Sequence, residues 1–232
     1  MWEQRRPDSA PAGRLVLVAR GGPVMHRACC RLAYSVRTDM RFGGPPQYAA
    51  WQHRDARNGF EVVFLRSDGN GWHLEGHTAA VEHGEAWVVH YRITLDRNWL
   101  TRTARVTSWD VSGPNEVTLE GDGGGAWRIN GEAARDLDGC LDVDLEASAL
   151  TNAFPVHRLG LEIGQEAYAP AAYVRAADLR VERLEQRYMR MDDDAGRERY
   201  NYTAPGFDFE SRLLYDASGL VLEYPGIAVR AV

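Results

Sequence analysis

The sequence predicts a mainly β fold: a strongly curved antiparallel sheet or open barrel around an apolar cavity, with one or two short helices. Three observations point there. Short stretches alternate apolar and polar residues, which places successive side chains on opposite faces of an extended chain. Clusters of Gly, Asn, Asp and Ser separate these stretches at hairpin-like spacing. Helices do not intervene between them, and consecutive antiparallel strands must then curl, close or stack to hide their apolar faces. The 232 residues, 44% apolar and 26% charged, suffice for one domain with a sizeable core.

Residues 1–46 are rich in Arg, Gly and Pro and keep no period, so they read as a basic, disordered extension; residues 47–232 read as a single β domain. Phe60 to Leu65 is apolar on both faces, as in a strand covered on both sides, with Glu61 inside it. Ser67 to Gly71 is a turn cluster, and Trp72 to Thr78 begins a return strand. In Trp87 to Asp96 the alternation is clean: Trp87, Val89, Tyr91, Ile93 and Leu95 share one face, His90, Arg92, Thr94 and Asp96 the other. Trp99 to Val111 is a further strand, with Arg102 on the side of Leu100, Ala104 and Val106. Val117 to Glu120 and Trp127 to Ile129 flank a Gly-rich turn, and Asn130-Gly131 adds a tight-turn signal.

A corner follows at Gly139 to Leu159. Asp142 and Asp144 share one face of an extended segment, while Leu141, Val143 and Leu145 share the other. Thr151 and Asn152 suit a turn or helix cap, Pro155 favours an extended Phe154 and bars a helix from running back through it, and Arg158 is the nearest cation to either carboxylate. Leu184, Tyr188 and Met191 keep helical spacing within Val174 to Met191, so local propensity favours a helix there. Phe207 to Tyr215 and Leu220 to Tyr224 form a closing hairpin through Asp216 to Gly219.

The pieces Cys140-x-Asp142-Val143-Asp144, Thr151-Asn152 and Pro155-x-x-Arg158-Leu159 resemble the signature of a bacterial family of glycolipid-binding-like proteins, similar in fold to the periplasmic lipoprotein carriers. Glu61, Tyr91, Trp99-x-x-Arg102, Trp127, Asp216-x-x-Gly219-Leu220-Val221 and Tyr224-Pro225-Gly226 extend the resemblance from about Trp51 to the end of the chain. It implies a strand over Val174 to Met191 in place of the helix that propensity favours. It also implies non-catalytic binding of a lipid or glycolipid.

Composition narrows the partners. All 27 basic residues are Arg, and the net charge of −6 divides into +5 over residues 1–46 (8 Arg against 3 acids) and −11 over the rest (19 against 30). An acidic body argues against nucleic acid as a partner. Three cysteines, two of them adjacent, make neither a disulfide framework nor a zinc spacing, and a reducing, cytoplasmic location is expected. No apolar run approaches the roughly 20 residues of a membrane-spanning helix.

A curled sheet encloses a concavity, and such concavities hold apolar ligands. Tyr91, Trp99, Trp127 and Tyr224 are expected to form an aromatic wall. Glu61, Arg102, Asp142, Asp144, Asn152 and Arg158 are expected to form a polar rim or an internal ion network, with Glu61 answering Arg102 and Arg158 answering Asp142 or Asp144. The alternative is a hydrolase-like enzyme using Asp142 or Asp144 as general acid or base in the same cavity. No cofactor is expected: nucleophile-elbow, phosphate-loop and His-Glu-x-x-His motifs are missing from the sequence. His73, His77, His83 and His90 read as solvated or hydrogen-bonded rather than as metal ligands.

Overall fold

The computed structural model describes residues 41–231, so the expected basic extension lies outside the described residues except for its last six positions. Of those, Phe42 is buried, Arg41 donates to Glu198 at 2.7 Å, and Gly43 N–H donates to the Ala217 carbonyl at 2.9 Å.

Eight strands come first: β1 (Tyr48–His53), β2 (Asn58–Ser67), β3 (Gly71–Glu82), β4 (Glu85–Asp96), β5 (Thr101–Asp110), β6 (Gly113–Gly121), β7 (Trp127–Ile129) and β8 (Glu132–Ala133). An inner segment then carries β9 (Asp142–Leu145), a single 3-10 turn at Leu150–Asn152 and one short helix, α1 (Ala153–Leu159). Eight more strands follow: β10 (Glu166–Tyr168), β11 (Ala171–Val174), β12 (Val181–Leu184), β13 (Arg187–Asp194), β14 (Arg197–Ala204), β15 (Phe209–Tyr215), β16 (Val221–Tyr224) and β17 (Ala228–Arg230).

Fourteen of these strands form one sheet in the order β10-β13-β14-β15-β16-β17-β1-β2-β3-β4-β5-β6-β7-β8. The chain thus enters and leaves the domain at the sheet's centre, where β1 pairs antiparallel with β17 through Trp51 opposite Arg230. A smaller sheet, β12-β11-β9, contains the one parallel pairing among the described residues, β9 with β11.

Period-2 patterning sets the inner face. On β4, Trp87, Val89, Tyr91, Ile93 and Leu95 are all buried, as the alternation predicts. Gly76 lies directly opposite Tyr91, and its lack of a side chain lets the ring lie across β3; a Cβ there would sit 2.0 Å from the Tyr91 ring. Inward residues from β1 to β7 share one apolar cluster with Leu137, Cys140, Val143, Leu145, Leu150, Ala153 and Phe154 of the inner segment. The sheet therefore wraps around its own chain.

That packing corrects the expected apolar cavity: the concave space over β1 to β7 is filled by residues 137–154, because the strands' inner face demands apolar cover and the inner segment supplies it. Three local expectations change with it. Phe60 and Phe64 stand 43% and 48% exposed, so β2 is covered on one face alone. Arg102 points outward. The β4–β5 register slips between Thr94 opposite Thr103 and Leu95 opposite Thr101, leaving Arg102 as the extra residue of a β-bulge, which reverses its facing. Phe154 is helical, since Pro155 falls in the first turn of α1, where a missing N–H costs no hydrogen bond. Over Val174 to Met191 the chain forms β12 and β13, as the family resemblance implies, because Leu184 and Tyr188 are needed on a buried face.

Candidate functional site

The inner segment is held by the polar residues that the sheet points inward. Glu61 accepts from the Tyr91 hydroxyl at 2.6 Å, the Ser148 hydroxyl at 2.5 Å and the Ala149 N–H at 2.8 Å. Burial raises the Glu61 carboxyl above its ordinary range, and the three donors oppose that rise. The Thr78 hydroxyl donates to the Ala147 carbonyl at 2.8 Å, Trp127 Nε1–H donates to the Cys140 carbonyl at 2.7 Å, and the Thr101 hydroxyl oxygen accepts from Val143 N–H at 3.1 Å. Each satisfies a backbone group that burial would otherwise strand.

β9 separates two chemical environments. Val143 and Leu145 face the apolar cluster under β1 to β7. Asp142 and Asp144 face the other way, as their spacing predicts. Asp142 receives both arms of Arg158, Nε at 3.2 Å and Nη2 at 2.5 Å, a side-on pair that answers both its oxygens. Asp144 has no such cation. Its Oδ1 accepts from the Thr151 hydroxyl at 2.8 Å, and its Oδ2 accepts from Gln186 Nε2 at a long 3.4 Å. Burial, opposed by Thr151 and reinforced by the charge of Asp142, pushes Asp144 up to about 6.

Around Asp144 stands a group of tyrosines, four from β13 to β16 of the large sheet and Tyr173 from β11 of the smaller one. Burial raises the hydroxyls of Tyr173, Tyr188, Tyr202, Tyr215 and Tyr224 above the ordinary phenol range, and in each the Asp144 charge adds to the rise. Tyr188 donates to Asn152 Oδ1 at 2.9 Å and Tyr215 donates to the Asn152 carbonyl at 3.0 Å, which fixes the start of α1. Phe209 packs between Tyr202 and Tyr224, with centroids 6.1 and 6.0 Å away, and Phe207 packs on Tyr173 at 5.2 Å. Phe207 is 41% exposed, so this aromatic corner reaches the surface. The Ser211 hydroxyl, on the same inward row of β15, is buried and has no partner. Two surface depressions lie elsewhere, one of about 440 Å³ beside Ile129 and Asn130, the other of about 160 Å³ over His90, Arg105 and Glu116.

The ten expected site residues thus fall into separate places. Glu61, Tyr91 and Trp127 direct their polar atoms at the inner segment. Trp99 stacks on the His157 ring with centroids 3.5 Å apart, behind α1. Arg102 faces outward near Asp122, and the expected Glu61–Arg102 pair is not formed because the bulge turns the guanidinium away. Asp142, Asp144, Asn152, Arg158 and Tyr224 come together at the tyrosine-rich side. Tyr173, Tyr202, Gln186 and Ser211 join them. The Tyr200-x-Tyr202 alternation carried a signal for Tyr202, whereas nothing local marked Tyr173 or Gln186.

The sequence profile of the family described as "Putative glycolipid-binding" matches residues 48–230. This chain belongs to that family. The glycolipid-binding match spans every strand of the large sheet, the inner segment and both sides of β9. Among solved structures, a DUF1089 family protein from Pseudomonas aeruginosa is similar at 34% identity, covering 72% of this chain and 90% of its own, with a TM-score of 0.62. A β-barrel-like protein of the DUF1849 domain from Brucella abortus covers 82% of this chain and 95% of its own at 10% identity and a TM-score of 0.48. No curated protein matches the chain. Among the described residues, no helix is long and apolar enough to cross a membrane.

Proposed function

We propose that the protein binds the head of a lipid or glycolipid at the tyrosine-rich corner around Asp144, without catalysis. The observation that carries this reading is Asp144 itself: a buried carboxylate with no cation, one oxygen held by a long bond to Gln186, amid five tyrosines. Such a carboxylate retains capacity to accept hydrogen bonds from sugar hydroxyls. The rings of Tyr202, Phe209 and Tyr224 offer apolar faces to a sugar ring or to the first methylenes of a chain. Arg158, tied to Asp142, lies on the same side of β9. The family's description, which speaks of binding, agrees with this reading.

Native mass spectrometry of the purified protein, followed by organic extraction of what it carries, tests the proposal. The expected result is a bound lipid or glycolipid that is lost in Asp144→Asn and Tyr224→Ala and kept in Arg102→Ala. A protein that carries none, and retains none from glycolipid-doped phosphatidylcholine vesicles, would refute it. A second reading, acid–base catalysis at Asp144, draws on its pKa of about 6. Turnover of a glycoside or ester lost in folded Asp144→Asn would favour that reading.

A further inference from the structure

The outer face of the sheet carries a cluster that the tyrosine corner does not use. His77 on β3 and His90 on β4 are directly opposite one another across the antiparallel pair, and Glu75 is two residues before His77 on the same face. One ligand atom from each of the three lies within 4.8 Å of the other two. The imidazole rings are stacked, 4.4 Å between centroids and 11° from parallel. From sequence these histidines read as solvated, because parity along a single strand does not reveal a partner on the next one.

We propose that Glu75, His77 and His90 form a binding site for a divalent transition-metal ion. His90 Nε2 lies 3.2 Å from Glu75 Oε1. Bonds of roughly 2.0–2.1 Å to nitrogen and oxygen, at tetrahedral angles, put two ligand atoms about 3.3 Å apart, so this edge of the site already has its length. His77 supplies the third ligand, a ring nitrogen within 4.8 Å of the ligand atoms of Glu75 and His90. Arg92 donates to Glu75 through Nε at 3.0 Å and Nη2 at 2.8 Å, both to Oε1, and Oε2 accepts no hydrogen bond from the described residues. A metal on the Oε1–His90 edge would share Oε1 with Arg92, and Oε2 is left as a second donor of the same carboxylate.

The donor set selects the class of ion. Two imidazoles and one carboxylate suit Zn²⁺, Co²⁺, Ni²⁺ or Cu²⁺, whereas Mg²⁺ and Ca²⁺ prefer oxygen alone. Three protein ligands leave a fourth position toward the shallow depression where His90, Arg92, Arg105, Thr107 and Glu116 meet.

Cobalt titration of the tag-free full chain, after treatment with a chelator, tests the site by its visible d–d absorption, with calorimetric titration of Zn²⁺ alongside. The expected result is one equivalent bound, at least about tenfold weaker in His77→Ala, in His90→Gln and in Glu75→Gln, with unchanged thermal unfolding of each apo variant. Arg92→Ala should keep the site. No cobalt spectrum at millimolar metal would overturn the proposal. So would an unchanged spectrum in the His77→Ala/His90→Gln double variant, since the metal would then reside elsewhere, as at Cys29 and Cys30.

Discussion

Single residues decide which buried charges the fold tolerates. Asp142 is neutralised by Arg158 and Glu61 is surrounded by donors, whereas Asp144 meets only a hydroxyl and a distant amide. With Asp144 raised from 3.8 to about 6, the folded protein holds a proton there that the unfolded chain has already released. The stability from this group is complete below about pH 4 and is lost as the pH rises through 6. Asp144→Asn, which keeps an acceptor for Thr151, should therefore gain stability relative to the parent across that interval. The gain should reach about 3 kcal/mol above it. Denaturant melts of both proteins from pH 4 to 8 measure this, and parallel curves would contradict it. Gly76 is a second decisive position: Gly76→Ala puts a methyl into the Tyr91 ring and should cost roughly 1–3 kcal/mol. The loss should shrink in a Tyr91→Ala background, where the two changes share one space.

At the scale of elements, the inner segment from Cys140 to Phe154 is the piece on which the fold turns. It fills the concave side of β1 to β7 and presents Asp144 to the tyrosines of β13 to β16. Phe154→Ala should cost about 3–5 kcal/mol in unfolding free energy, since a fully buried ring leaves a void. Cys140 reports on the segment's integrity. It is fully buried, and burial pushes its thiol up to about 11, so modification by a thiol reagent should require the segment to open. Glu61→Ala removes the acceptor of three inner-segment and ring donors and should speed modification of Cys140, followed peptide by peptide in a mass spectrometer. An unchanged rate would mean that Glu61 is not the clamp.

The same segment explains what was legible in the chain. The alternation of β4, the turns at Asn130-Gly131 and Asp216 to Gly219, and a pairing of Arg158 with Asp142 or Asp144 could be read from spacing, because each depends on residues close together; which of the two Arg158 answers could not. The facing of Arg102 could not, since a bulge shifts parity without a local mark. Nor could the filled concavity, which depends on one stretch folding back under strands far from it in sequence. The His77–His90 pair was hidden for a related reason: its two members are neighbours only through the β3–β4 register.

Within residues 41–231 the first and last strands, β1 and β17, pair at the centre of the large sheet, and the three-stranded sheet is separate from it. β17 joins β16 to β1 and so links the half that wraps the inner segment to the half that carries the tyrosines. Removal of residues from Ala228 onward should leave β1 and β16 unpaired along one edge and abolish a single cooperative melt. A truncated chain with an unchanged midpoint would show the two halves to be independent.

In the proposed binding mode the ligand sits on the tyrosine side of β9, while the concave side under β1 to β7 stays filled. Hydrogen exchange of the lipid-loaded protein against the extracted one tests this most directly. Protection should rise in Ala171–Val174, Arg197–Ala204 and Val221–Tyr224 and stay level in β4, β5 and residues 140–150. Altered exchange in β4, β5 and residues 140–150, with none at the tyrosine strands, would mean that the inner segment gives way to the ligand, and would contradict the account.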